Sequence, residues 1–333
     1  MGELPRVAII FTGGTIDSVA KDRLDLAWYY ETHNRIDPGD LLARIPELDS
    51  IANIERVPFR RLPSHQLADK DWLDLLRAIH AIFDSGRADG IVVTHGTNTL
   101  EETGYFLNLA LKTDRPVVLA GSMRPSSALG ADGDLNLLQA VRVAADPASP
   151  ARGVLVVMND TIFAARDVTK TATYRLHAFQ GRDLGPLGFA DADGNVVFYH
   201  QTAKKHTVAT EFNVRGLDSL PRVDVVVSYV GADGALIDAA RAAGARGIVS
   251  AGTGAGRPTA GEEEALERAV QRGALVCIAS RVGSGRVARG PGLVRRGFVA
   301  ADNLQPWKAR VLLSLALTKT NRPDEIQRMF DDY

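Results

Sequence analysis

Residues 91–103, IVVTHGTNTLEET, decide how this chain is read. The β-branched apolar run at their start is strand-forming. It delivers His95, Gly96, Thr97, Asn98 and Thr99 to its end, and Glu101 and Glu102 then open a helix. Hydroxyls and an amide on a strand-to-helix turn look out from the carboxyl edge of a sheet, where open α/β sheets bind ligands. A similar turn stands near the N-terminus, where residues 7–11 run into Thr12, Gly13, Gly14, Thr15 and Ile16. Two threonine-bearing turns after two strands point to one site assembled from distant parts of the chain, as in an enzyme.

Working outward, apolar runs at 7–11, 54–59, 90–94, 116–120 and 153–158 alternate with stretches of helical periodicity at 72–84, 101–112 and 136–145. Strand–helix alternation predicts a parallel sheet with helices on both faces. Residues 186–193 are rich in loop-formers, and 196–199, after Asp193-Gly194, predict a hairpin. The polar stretch 201–216 has no clear period. A second alternation follows, with strands at 223–229, 247–251 and 274–279 and helices at 235–243, 261–271 and 309–318. The expected fold is α/β: a larger N-terminal parallel-sheet α/β domain over 1–205, a linker at 206–221 and a smaller C-terminal α/β domain over 222–333.

Composition excludes several classes. At 333 residues the chain exceeds the ~250–300 at which single cores stop growing. With 39 basic and 40 acidic residues its net charge is −1, so no bulk attraction to nucleic acid or to a membrane surface is expected. The single cysteine, Cys277, lies in an apolar run and reads as a buried small hydrophobe. Residues 1–5 show no basic segment leading into an apolar one, and no apolar stretch approaches ~18 residues, so the expected location is the cytoplasm. His33, His65, His80 and His95 form no ligand-spaced cluster, so neither a metal nor another cofactor is expected.

The Thr12–Ile16 turn lacks both the Lys-Ser/Thr of a triphosphate loop and the third glycine of a dinucleotide fold. The alternative is that its glycines expose Thr12 or Thr15 as a nucleophile, which then needs a base and oxyanion donors. A base is offered by Lys170, between Thr169 and Thr171 in a polar stretch after the fifth strand. A lysine drawn out of water loses its proton near neutral pH and serves as a general base.

Together these motifs resemble the bacterial-type L-asparaginases, homotetrameric amidohydrolases. The resemblance runs nearly end to end through TGGTI (12–16), THGTNTLEET (94–103), MRPS (123–126), ADGDLN (131–136), GVLVVMND (153–160), RDVTKT (166–171), IVSAG (248–252) and KARVLLSLA (308–316). It implies that Thr15 attacks a carboxamide to give an acyl-enzyme and ammonia. It implies Thr97 and Lys170 as the second catalytic group, and a tyrosine from the following loop, Tyr29 or Tyr30, as the assistant of Thr15. Ser64 matches the position that binds the substrate's α-carboxylate, with His65 where the family usually has Gln, and Ser122 joins the implied substrate-binding set. The resemblance also implies a homotetramer, a dimer of intimate dimers.

Three departures bear on the substrate. Members acting on L-asparagine usually carry Asp at the position of Asn98, Asn at that of Ala255 and a Glu after Ser280-Arg281, all gripping an α-ammonium. Here 282–297 holds no acid and includes Arg286, Arg289, Arg295 and Arg296. Hydrogen bonds to charged groups are each worth roughly 1.5–3 kcal/mol, so their joint loss predicts a small amide or related acid without a free α-ammonium. A true L-asparaginase or glutaminase is the alternative, and a non-catalytic small-amide binding protein is the reading from another class.

Overall fold

In the computed structural model, which describes residues 3–333, the apolar runs of the first half become β1 (Arg6–Phe11), β2 (Asn53–Val57), β3 (Gly90–Thr94), β4 (Val117–Ala120) and β5 (Val154–Met158). All five are parallel. Both faces of the inner strands are apolar, as a sheet covered on both sides requires. Val7, Ile9, Phe11, Val92, Val118 and Leu155 face one core, shared with Leu137, Ala140 and Val141. The alternating Ala8, Ile10, Ile91, Val93 and Leu119 are equally buried.

Helices α1 (Pro38–Ala43), α2 (Asp69–Asp84), α3 (Leu100–Ala110) and α4 (Gly133–Ala145) cover them. A Cβ on Gly104 of α3 would touch Leu119 and Val156, so α3 lies on the face opposite the core of α4. Helix α2 joins α3 through a Trp72–Phe106 stack and a bond from Trp72 Nε1 to Thr103 Oγ1 of 2.9 Å.

The sheet is mixed, which the alternation alone does not reveal. After β5 the chain folds back as β6 (Thr161–Ala164), forms a small ribbon of β7 (Thr169–Lys170) and β8 (Phe179–Gln180), and returns as β9 (Gly188–Ala190) and β10 (Val196–Phe198). Strands β6, β9 and β10 extend the sheet antiparallel. The full order is β10-β9-β6-β5-β4-β3-β1-β2. The chain leaves β1 toward β2 on one side and continues from β3 to β4 and β5 on the other, which makes the β1/β3 junction the topological switch point of the sheet.

The chain divides into two compact units, Met1–Ala209 and Thr210–Tyr333. The second has a parallel sheet, β11 (Val223–Val227), β12 (Gly247–Gly252), β13 (Leu275–Ser280) and β14 (Val299–Ala300), in that order. Around it lie α5 (Ala235–Ala242), α6 (Ala260–Gln271), α7 (Pro291–Arg295), α8 (Pro306–Ala316) and α9 (Pro323–Asp332). Cys277 is fully buried in β13, and burial pushes its thiol up. The expected linker 206–221 is more structured than its polarity suggests. Thr207–Ala209 form a 3-10 turn in the first unit. In the second, buried Phe212 packs its ring on Tyr333 at 5.1 Å while Glu211 pairs with Arg328 at 2.6 Å.

Candidate active site

Two glycines bring the threonine turns together. Gly13 and Gly14 have φ of 91° and 117°, a region open to glycine and strained for other residues. A Cβ on Gly14 would lie 2.5 Å from Gly96 Cα, and one on Gly96 would lie 2.6 Å from Ser64 Oγ. The turns after β1 and β3 therefore meet backbone to backbone at the switch point, and the Ser64 side chain packs against Gly96. Thr99 Oγ1 adds a bond to Ser64 O at 2.9 Å, and Leu62 N donates to Thr12 O at 3.0 Å.

The geometry separates the threonines. Thr12 is buried and spends its hydroxyl on Thr94 O at 2.7 Å, tying the turn to β3. Thr15 opens a short 3-10 turn, Thr15–Asp17, and its Oγ1 lies 2.9 Å from Tyr29 Oη. Burial raises the Tyr29 phenol above its ordinary value, a rise that the bond to Thr15 only partly offsets. Tyr30 does not share this contact: it is 56% exposed and stands edge-on to Tyr29.

The loop that carries Tyr29 is fastened at its base. Ser18 bridges Arg35, Val19 N donates to Asn34 O at 2.9 Å and Ile36 N to Asp17 O at 2.8 Å. Buried Asp17 faces Arg35 at 3.6 Å and Arg61 at 3.4 Å. Its carboxyl still sits above the usual range, because burial outweighs the two guanidiniums.

Thr97, buried at the tip of the second turn, accepts from Lys170 Nζ at 2.9 Å. Asn98 is exposed, and its Oδ1 accepts from the same Nζ at 3.4 Å. Lys170 reaches them from β7, which is anchored by pairing with β8 and preceded by the buried Arg166–Asp167 ion pair of 2.8 Å. Loss of water lowers the Lys170 ammonium from its ordinary value, and the charge of Glu101 pulls it part of the way back. Glu101 was legible in the sequence only as a helix opener. Here it is buried and holds the Lys170 N–H at 3.3 Å.

The remaining expected residues are placed less uniformly. Ser64 is buried against Gly96, whereas its neighbour His65 is exposed. Ser122 is fully buried and its hydroxyl donates to Arg124 O at 2.7 Å, so that hydroxyl is committed to its own loop. The loop is pinned by Asp132, which accepts from Met123 N and Arg124 N at 2.9 Å each, and by Asn136, which donates to Gly121 O at 3.0 Å. This is what the ADGDLN motif does.

In the second unit, Ala255 is exposed on a tight turn closed by paired Thr253 and Arg257 main-chain bonds of 2.8 Å. The basic segment 282–297 is partly neutralised there: Arg286 pairs with Asp302, Arg289 with Asp324 and Arg296 with Glu263 and Glu267. Among the described residues no group of three or more His, Cys, Asp and Glu side chains is placed to hold a metal ion.

Comparison with known proteins agrees along the whole chain. The family described as Asparaginase, N-terminal, matches residues 6–204, and the Glutaminase/Asparaginase C-terminal domain matches 222–330. L-asparaginase 2 of Escherichia coli strain K12 is 42% identical over 99% of this chain and 94% of its own. The glutaminase-asparaginase of Pseudomonas fluorescens biotype A is 39% identical over 99% and 91%. A crystal structure described as the probable cytoplasmic L-asparaginase of Campylobacter jejuni superposes with a TM-score of 0.95 at 41% identity, covering 99% of this chain and all of that one. With both domains matched and relatives aligned nearly end to end, the chain belongs to the asparaginase family of amidohydrolases.

Proposed function

We propose that the protein opens the carboxamide, or a related C–N bond, of a small acid that lacks a free α-ammonium, with Thr15 as the nucleophile. The observation that carries this reading is the pair of hydroxyl contacts, Thr15–Tyr29 and Thr97–Lys170, held beside one another by the Gly14–Gly96 approach. Thr15 Oγ1 bonds to the amide carbon as its proton passes into the hydrogen-bonded network. The C–N bond then breaks, and the amine leaves with that proton as ammonia. Water cleaves the resulting ester to release the acid and restore Thr15. Lys170, favoured in its neutral form by lost hydration, takes a proton through Thr97. A phenol raised by burial stays protonated at neutral pH, so Tyr29 acts as a donor and relay.

The absent α-ammonium is supported by Asn98, whose amide oxygen faces Lys170, by Ala255, and by the acid-free stretch 282–297. A neutral partner at residue 98 also favours the neutral lysine. The second reading takes L-asparagine or L-glutamine itself as substrate, and the names of the relatives favour it. Assembly as a homotetramer of intimate dimers and a cytoplasmic location complete the proposal. The description of the Campylobacter neighbour supports that location, and among the described residues no helix is long and apolar enough to cross a membrane.

Ammonia release tests the reading, using L-asparagine, L-glutamine, D-asparagine, succinamate and N-substituted or cyclic amides. Thr15→Ala and Lys170→Met should each lose at least ~10²–10³-fold in turnover of the best substrate while melting like the parent. Full turnover by either variant would sink the mechanism. If L-asparagine proves the best substrate of the unmodified protein, the second reading replaces the first.

A further inference from the structure

The Lys170 ammonium has two bonded partners in the site, Thr97 Oγ1 and Asn98 Oδ1, and both are neutral. The carboxylate that acts on it lies behind it. Glu101, in the first turn of α3, is 6% exposed. One of its oxygens accepts the Lys170 main-chain N–H at 3.3 Å, while Oε2 is buried without a hydrogen-bond donor. A buried carboxylate oxygen with no donor is costly unless charge compensates it.

The Glu101 charge reaches two cations on other segments, Lys170 on β7 and Arg182 after β8, and Arg182 also feels its neighbour Asp183. The Glu101 charge strengthens proton binding by both Lys170 and Arg182, each of which burial drives the other way. The carboxylate thus acts on two partly buried cations, one of them the proposed base.

We propose that Glu101 is a positioning residue of the reaction: its buried carboxylate fixes β7 through the Lys170 main chain and sets a negative charge behind the base. The assignment rests on the reading of Lys170 as the base. Because residue 98 is an amide, Glu101 supplies the negative charge that the side chain beside Nζ does not. The acid limb of the pH profile, below which Lys170 is protonated and turnover falls, is then set by a residue that touches neither substrate nor nucleophile.

The test is the pH dependence of kcat/KM for an amide that the unmodified protein turns over. Glu101→Gln keeps an acceptor for the Lys170 N–H and removes the charge. Glu101→Met is a second uncharged variant of similar volume, and Glu101→Asp keeps the charge. The acid limb should move to lower pH in both uncharged variants and stay near the parent's in Glu101→Asp. A residue with only a structural role would lower kcat without moving the limb. The proposal is overturned if the limb stays put in the uncharged variants, or if Glu101→Asp moves it as far as they do.

The same shift is readable without turnover in the Cε NMR resonance of Lys170, assigned by its disappearance in Lys170→Met. An unmoved titration of that resonance in the uncharged variants overturns the proposal equally. Full activity of Lys170→Met would instead sink the functional reading, while the resonance still decides the coupling.

Discussion

Tyr29 and Tyr30 are chemically identical neighbours, and the 3-10 turn Tyr29–Thr32 points one at Thr15 and the other at solvent. No pattern in the sequence distinguishes them, because a single residue of register in a loop decides which ring turns inward. Tyr29→Phe should lower kcat by ~10²-fold or more, the usual range for losing a positioned proton donor. Tyr30→Phe should stay within a few-fold of the parent, and steady-state kinetics of the two variants checks the pair. Asn98 differs in having been singled out in advance, because the family resemblance implies an Asp at its position, and its amide oxygen lies 3.4 Å from Lys170 Nζ. Asn98→Asp would put an anion next to Lys170, and the acid limb should rise, the opposite direction from Glu101→Gln.

At the scale of elements, the second unit shows how local rules and packing combine. Thr259 caps α6 by accepting from Glu262 N at 3.2 Å, while Glu262 reaches back to Thr259 N at 2.8 Å and also holds Ser228 Oγ at 2.6 Å. Thr259→Ala should cost about 1 kcal/mol of stability, a usual value for a lost helix cap, measurable by urea unfolding. Elements with strong periodicity, such as α2 and β3, were plain in the sequence.

The ones that escaped did so for physical reasons. β6 is four residues long and followed by the polar run 166–171, so its apolar Ile162, Phe163 and Ala164 carry too little pattern to mark a strand. α9 buries the apolar Ile326, Met329 and Phe330 together with Gln327 among charges, an apolar stripe too brief to stand out. Of the site, the two threonine turns stood out by their place after strands. The residues alone left Thr12 and Thr15 open and offered Lys170 only as a candidate base, and the family resemblance singled out Thr15, Thr97 and Lys170. Glu101 was not legible, because a carboxylate in a first helical turn has an ordinary explanation in the helix dipole.

At the scale of the molecule, stability and specificity follow separate groups. His95 is buried, its Nδ1 bonded to Gly96 O at 2.8 Å, and burial pulls its imidazole from 6.5 to about 4. The unfolded chain takes up that proton first as pH falls. The stabilisation is therefore complete above about 6.5 and is lost progressively between there and about 4. His95→Gln should flatten the decline in urea midpoint across this window, and an unchanged slope would refute the assignment.

For the assembled protein, sedimentation should give a tetramer, and a fully active monomer would overturn the proposed assembly. Its kcat/KM for L-asparagine should fall at least ~10²-fold below that for the preferred amide, the order expected from a few missing charged contacts. Asn98→Asp should recover only part of that gap, because Ala255 and the acid-free 282–297 are unchanged.

The close approach of Gly14 and Gly96 has a bearing on how such a protein changes over time. Residues some eighty positions apart share one seam, so neither turn has room to vary unless the other yields. Mutational libraries built on one turn alone will return the parent at these positions. New substrate ranges are then reached through the side chains that point away from the seam, at 98 and around it, while the seam itself is inherited as a unit.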